Sequence, residues 1–304
     1  MKFGKLPTID NISFSFPSDP EANKIILSGL NTDNVPPALY IGCTGWSMKE
    51  WVGRVYPSKT ATKDYLYHYS RQFNTIELNS THYTIPKKEV VQQWCRQSPD
   101  DFRFCPKVLQ TISHSNSLGF GTPLLTNWLE AINCFETRLG CCFIQLPPYF
   151  GIKDLKVLEQ WLQRLPKGLP MAVEMRHESI FEKTSHLDEW INLLKTYAIS
   201  TVITDVAGRR DVLHLRLSNE RVVIRFVGNG LHPTDFQRID DWLGRIKYWF
   251  DAGLKEVYFF AHEPDNILAP DLADYIFKQA RITMPHVTMR GPTLIDPDQQ
   301  LKLF

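Results

Sequence analysis

The chain reads as a closed (β/α)8 TIM-type barrel. Eight short strand-like runs recur along it, and amphipathic helical stretches fill most of the gaps between them. Strict alternation of strand and helix implies parallel strands joined by right-handed crossovers, and eight repeats imply closure. The length of 304 residues suits one such barrel, and 43% hydrophobic against 22% charged residues supplies ample material for a core.

Residues 1–37 lack a clear period and hold Pro7, Pro17, Pro20, Pro36 and Pro37, so they read as an extension draped over the domain. The barrel is expected over 38–289 and a tail over 290–304. Strand-like runs fall at 39–44, 74–79, 102–107 and 141–146, then at 171–176, 200–205, 222–228 and 257–262. Helical faces follow in turn. Tyr65, Leu66, Tyr69 and Phe73 share one, and Val90, Val91 and Trp94 another. Leu125, Trp128, Leu129 and Ile132 line the next, then Leu155, Leu158, Leu162 and Leu165. Leu187, Trp190, Ile191 and Leu194 precede the clearest stripe, Phe236, Ile239, Leu243, Ile246 and Phe250, and Leu272, Tyr275 and Ile276 close the series. One slot departs from the rule. Between strands six and seven, Leu213, Leu215 and Leu217 alternate with His214, Arg216 and Ser218, which predicts a hairpin in place of a helix.

Composition narrows the function classes. A formal charge of +1 argues against a general polyanion binder, though it leaves room for a local basic cleft. The cysteines at 43, 95, 105, 134, 141 and 142 form no Cys-x-x-Cys pair, and several sit within strand-like runs as buried thiols do. With no signal-type run near Met1 and no stretch of 18 apolar residues, the chain is expected to be cytoplasmic and not membrane-bound. Phosphate-binding Gly-x-x-x-x-Gly-Lys, nucleophile-elbow and His-Glu-x-x-His motifs are all missing.

Barrel chemistry sits at the C-terminal strand ends, where the inward candidates here are polar rather than Val, Ile or Leu. They are Glu77 and Asn79 on strand two, Lys107 on three, Gln145 on four, and Glu174 and Arg176 on five. Asp205 on six, Arg225 on seven and His262 on eight complete the ring. Such a ring is either structural, with carboxylates pairing to guanidiniums, or catalytic. Loops beside it carry Trp46, His82, Tyr83 and His114, aromatics that either stack on a ligand or simply cover the barrel. Gly228-Asn229-Gly230 is either a phosphate-binding turn or a plain one. Glu77, Glu174, Asp205 and His262 are of the types that ligate a divalent metal, but Lys107, Arg176 and Arg225 beside them reduce the need for one, so no metal ligand is assigned.

Several motifs form a recognisable series: Gly42-Cys43-Thr44-Gly45-Trp46-Ser47, Phe73-Asn74-Thr75-Ile76-Glu77-Leu78-Asn79-Ser80-Thr81-His82-Tyr83 and Phe102-Arg103-Phe104-Cys105-Pro106-Lys107. With Gln145-Leu146-Pro147-Pro148, Val173-Glu174-Met175-Arg176, Thr204-Asp205 and Arg225-Phe226-Val227-Gly228, they resemble the YecE-like family, catalogued as domain of unknown function 72. The resemblance covers about residues 38–265 and implies a TIM-type barrel, with no established reaction, substrate or cofactor. This chain departs from the pattern in its front extension and at Val227-Gly228, where the family more usually has His before the glycine.

Two function classes follow. The first is an enzyme, a hydrolase or lyase, acting on a phosphorylated or otherwise anionic substrate. Lys107, Arg176 and Arg225 would hold the anion, with Glu77 or Glu174 as general acid or base and Asp205 and His262 as further catalytic candidates. Asn79, Gln145, Trp46, His82, Tyr83 and His114 would line the substrate site. The second is a non-catalytic accessory protein that uses the barrel as a receptor for phosphate or a nucleic-acid end; a glycosidase using Glu77 and Glu174 is a third. Finally, Gln300, Leu301, Leu303 and Phe304 resemble the short peptide by which bacterial replication and repair proteins bind the sliding clamp. The alternative is that this tail docks on the barrel itself.

Overall fold

The computed structural model describes Gly4 and residues 6–30 and 35–295; the tail residues Gln300, Leu301, Leu303 and Phe304 lie outside the described residues. An α/β fold with parallel strands results. The strands are β1 (Ala38–Gly42), β2 (Thr75–Leu78), β3 (Arg103–Pro106), β4 (Cys142–Gln145), β5 (Met171–Glu174), β6 (Ser200–Asp205), β7 (Arg221–Val227), β8 (Glu256–His262) and the short β9 (Thr288–Arg290). The helices are α1 (Glu21–Ser28), α2 (Tyr65–Gln72), α3 (Ser80–Tyr83), α4 (Lys88–Gln97) and α5 (Gln110–Ser113). They continue with α6 (Leu124–Asn133), α7 (Leu155–Leu162), α8 (Thr184–Thr196), α9 (Pro233–Asp251) and α10 (Ala269–Thr283).

Strands β4 to β8 lie side by side in chain order, β1 follows β8, and β2 pairs with β3. Joints between these two groups make the arrangement barrel-like. At β3–β4 the joint is the Lys107–Phe143 bridge, with Val108 N donating to Phe143 O at 2.9 Å. At β1–β2 the joint is unusual. β9 pairs with Ala38, Leu39 and Tyr40, so β2 meets β1 chiefly beyond them, where Glu77 N donates to Cys43 O at 3.0 Å. Below that point the Asn74 side chain stands in for a ladder, accepting from Ile41 N and donating to Leu39 O at 2.7 and 3.0 Å. Gly42 is required here, because a Cβ would lie 2.3 Å from Thr75 O.

The alternation of each strand sorts its side chains. Cys105, Phe143, Ala172, Val202, Val223, Tyr258 and Phe260 pack together as an interior floor, apart from the larger core between strands and helices. Two residues further along the same strands come Lys107, Gln145, Glu174, Thr204, Arg225 and His262, and Glu77 joins them from β2. All six cysteines are free thiols, and four of them are buried.

Two expectations change. The segment between β6 and β7 is a 3₁₀ stretch (Ala207–Val212) followed by an extended run, 213–218, that forms no strand ladder, so the hairpin is not present as a paired element. Its backbone is satisfied by side chains instead. Asn23 of α1 donates to Leu215 O at 2.6 Å and accepts from Leu217 N at 2.9 Å, while Thr201 Oγ1 donates to Arg216 O at 2.8 Å. The extension thus contains a helix, and Asp19 just before it accepts from Arg245 and Trp249 of α9 at 2.7 and 2.8 Å. α1 therefore lies between the extended run and α9, in the slot a crossover helix would otherwise fill.

Candidate active site at the C-terminal strand ends

Arg225 is the hub of the polar layer. From β7 its Nε and Nη2 donate to the two oxygens of Glu77 on β2, both at 2.9 Å, and its Nη1 donates to Glu174 Oε2 on β5 at 2.9 Å. Glu77 also accepts from Asn79 Nδ2 at 2.9 Å and from His262 Nε2 at 3.0 Å. Glu174 accepts further from Gln145 Nε2 at 2.8 Å and Arg176 Nε at 2.7 Å. Bidentate guanidinium–carboxylate pairing of this kind is strong and orienting, and it satisfies charges that would otherwise be costly to bury. Burial alone would raise the Glu77 carboxyl, but Arg225 and His262 outweigh it and hold it well below the usual range. By the same balance, Arg176 and Arg225 overcome burial and bring Glu174 down to about 2.

Lys107 differs from these. Its Nζ donates to the neutral Gln145 Oε1 at 3.0 Å rather than to a carboxylate. Burial and the neighbouring Arg225 push its ammonium down to about 8, even though Glu77 and Glu174 pull the other way. His82 Nδ1 must donate to Val108 O, at 2.7 Å, which leaves Nε2 as the lone-pair nitrogen. Burial, with Lys107 next, lowers this imidazole to about 4, so it is neutral near pH 7.

Above the layer opens a cavity of about 600 Å³, lined by Glu77, Asn79, His82, Tyr83, Lys107, Gln145, Arg225 and His262. Gly4 and Leu6–Ile9 of the extension line it too, and Gly208 N donates to Gly4 O at 2.9 Å to fasten that segment. Glu263, unmarked in the sequence reading, is a further lining residue. Burial pushes its carboxyl up to about 7, although Gly230 N donates to it at 2.8 Å and Leu231 N at 3.3 Å. Its only sequence signal was its position immediately after the inward His262. The phosphate-turn alternative for Gly228-Asn229-Gly230 gives way here, because those backbone donors are occupied: Glu263 takes Gly230 N and Asp235 takes Asn229 N. Gly228 is glycine because a Cβ would fall 2.3 Å from Glu263 Oε1.

The pattern of the family described as "Protein of unknown function DUF72" matches residues 40–296. The chain belongs to the DUF72 family. It is 32% identical over 267 residues to the UPF0759 protein YecE of Escherichia coli strain K12, covering 82% of this chain and 95% of that one. The UPF0759 protein YunF of Bacillus subtilis strain 168 is 27% identical over 150 residues, 47% of this chain and 52% of that one. Among solved structures, a DUF72 family protein from Thermotoga maritima MSB8 superposes with a TM-score of 0.64 at 23% identity, over 82% of this chain and 99% of that one. One from Enterococcus faecalis V583 gives 0.62 at 21%, over 85% and 100%. These likenesses support the barrel-like fold of the DUF72 chain and carry no reaction with them.

Several residues read from the DUF72 motifs fall outside the cavity. Asp205 is the clearest correction. Register pairs Thr204 with Arg225 and Asp205 with Phe226, so Asp205 faces the helices. There it is held by Arg210, by Arg238 Nη2 at 2.9 Å and by Trp242 Nε1 at 2.8 Å. Trp46 packs edge-on against Trp94 with ring centroids 5.4 Å apart and does not line the cavity. His114 sits behind His82, 5.6 Å between ring centroids, with Ser113 Oγ at 2.9 Å from its Nδ1. Glu174 and Arg176 lie beneath the lining rather than in it. Among the described residues no group of three or more His, Cys, Asp or Glu side chains is arranged to hold a metal ion, and no helix is long and apolar enough to cross a membrane.

Proposed function

We propose that this cavity is the active site of an enzyme acting on a small anionic substrate, phosphorylated or carboxylated. The observation that carries the reading is the Lys107 ammonium. It lines the cavity with a neutral amide as its hydrogen-bond partner, while both carboxylates of the layer are taken up by guanidinium, amide and imidazole donors. Two cationic side chains, Lys107 and Arg225, line the cavity, and Lys107 is the one not paired to a carboxylate, which suits an incoming anion.

Glu77 and Glu174 remain ionised at neutral pH, so they anchor the cations instead of shuttling protons. Proton transfer falls to His82, through its Nε2, and to Glu263, whose carboxyl titrates near neutrality. This set suits hydrolysis or elimination, with developing negative charge met by Lys107 and Arg225.

The test is titration of the full chain with inorganic phosphate, sulfate and a panel of phosphomonoesters, followed by thermal melting and calorimetry. Binding is expected, and Lys107→Met should weaken it by about tenfold or more, the worth of one charge-assisted hydrogen bond. If the wild-type chain binds none of these anions, or the variant binds them equally well, the reading fails. Binding without turnover across the panel would favour the receptor alternative.

A further inference from the structure

We propose that Lys107 is a nucleophile that forms an imine with a small carbonyl compound bearing a carboxylate or phosphate group, making the protein a lyase or dehydratase that works through a covalent lysine adduct. The inference rests on the active-site reading above and gives it a substrate class.

Three aspects of the geometry carry it. First, among the described residues the Lys107 amine has no counter-ion within its hydrogen-bonding reach. Glu77 and Glu174 share its layer, but Arg225, Arg176, His262 and the side-chain amides saturate them, and Lys107 is left with Gln145 Oε1. A lysine meant only to carry charge would gain from one of those carboxylates. A lysine meant to attack must reach its neutral form, which burial beside other cations favours. Second, Nζ sits over the Phe143 ring of the apolar floor, 6.0 Å from its centroid, and Lys107 lines the cavity where a substrate carbonyl would arrive. Third, a cavity-lining imidazole is tied to the same strand end. His82 is fixed on Val108 O, and the hydroxyl of the adjacent Thr81 donates to Lys107 O at 2.8 Å, so the imidazole and the lysine backbone move as one unit.

The step balances without a further co-reactant. The ammonium gives up a proton to solvent in the cavity, and the freed amine attacks the carbonyl carbon. The C–N bond forms as the C=O π pair moves to oxygen, which takes up the extra proton of the attacking nitrogen to give a neutral carbinolamine. Loss of that hydroxyl as water, with a proton from Glu263, lets the nitrogen lone pair close the C=N bond. The substrate's anionic group faces Arg225, which also lines the cavity. The resulting iminium draws electrons from the neighbouring carbon, the state from which a C–C or C–O bond is cleaved.

Borohydride trapping tests it. The full chain is incubated with pyruvate, or in parallel with dihydroxyacetone phosphate, reduced with sodium borohydride, and mapped by intact mass and peptide analysis. A single adduct on Lys107 is expected from at least one probe, suppressed by added inorganic phosphate; which probe reacts distinguishes carboxylate from phosphate as the substrate's anion. Lys107→Arg keeps the charge and should retain phosphate-induced thermal stabilisation while giving no adduct, whereas Lys107→Met should lose both. Stabilisation by phosphate through Lys107 with no adduct from either probe overturns the imine and leaves the anion site standing. No response to phosphate and no adduct overturns both. Labelling spread evenly over surface lysines also overturns the imine.

Discussion

Arg225 bridges two buried carboxylates, so its replacement is the harshest single change the polar layer offers. Lysine in its place keeps a charge but loses the planar fork, so Glu77 or Glu174 loses its Arg225 pairing and keeps only its remaining donors. Arg225→Lys should therefore cost about 3–5 kcal/mol, the usual penalty for breaking a buried pair from one side. Urea unfolding measures this, and a variant as stable as the parent would mean that the pairs carry little. Lys107→Met should move stability the other way. The folded-state ammonium is lowered from 10.5 to about 8, so at pH 7 the unfolded chain holds that proton more readily, a handicap on the order of 3 kcal/mol. The handicap shrinks as pH rises from 8 towards 10.5, so the gain in melting temperature should be larger at pH 7 than at pH 10. At this scale most of the layer was legible: Glu77, Lys107, Gln145, Glu174, Arg225 and His262 stand out as polar residues on strands that otherwise bury apolar ones. Asp205 was not, because a shift of one residue turns a side chain to the opposite face, and only the pairing of Thr204 with Arg225 fixes that parity. Glu263 was hidden for another reason, since its role depends on a turn after β7 folding back onto the end of β8.

Among the elements, α1 has the most instructive position. Strand and helix periods revealed β1 to β8 and the long helices because each element's pattern is set by its own burial. The extension gave no such pattern, since α1 is short and its decisive partner, the run 213–218, lies far along the chain. Asn23 is buried and reads as an ordinary polar residue until its two backbone partners are known. Asn23→Ala would leave Leu215 O and Leu217 N unsatisfied in the interior, at a cost of about 2 kcal/mol or more. The loss should concentrate in this slot. Limited proteolysis under native conditions should therefore cut near α1 faster in the variant, while cleavage elsewhere is unchanged; uniform acceleration would assign Asn23 to global stability instead.

For the molecule as a whole, the layer sets an acid limit. Glu174 falls from 4.5 to about 2 on folding, and Glu77 is lowered as well, so their stabilisation is complete above pH 4.5 and is lost as pH falls towards 2. Tryptophan fluorescence through an acid titration should show unfolding in that window. The gap between the parent and Glu174→Gln should close as pH approaches 2, and a constant gap would argue against the linkage. The pairing of β1 has a consequence for synthesis. β1 is made long before its partners β8 and β9, since Ala38 is paired with both Glu256 and Thr288. Until then both edges of a nascent β1 stand open apart from what Asn74 can cover, and such edges recruit other chains. Pairing across so long a separation in sequence is slow, so in pulse-labelled hydrogen exchange the amides of Leu39 and Tyr40 should be protected after those of β5 to β7.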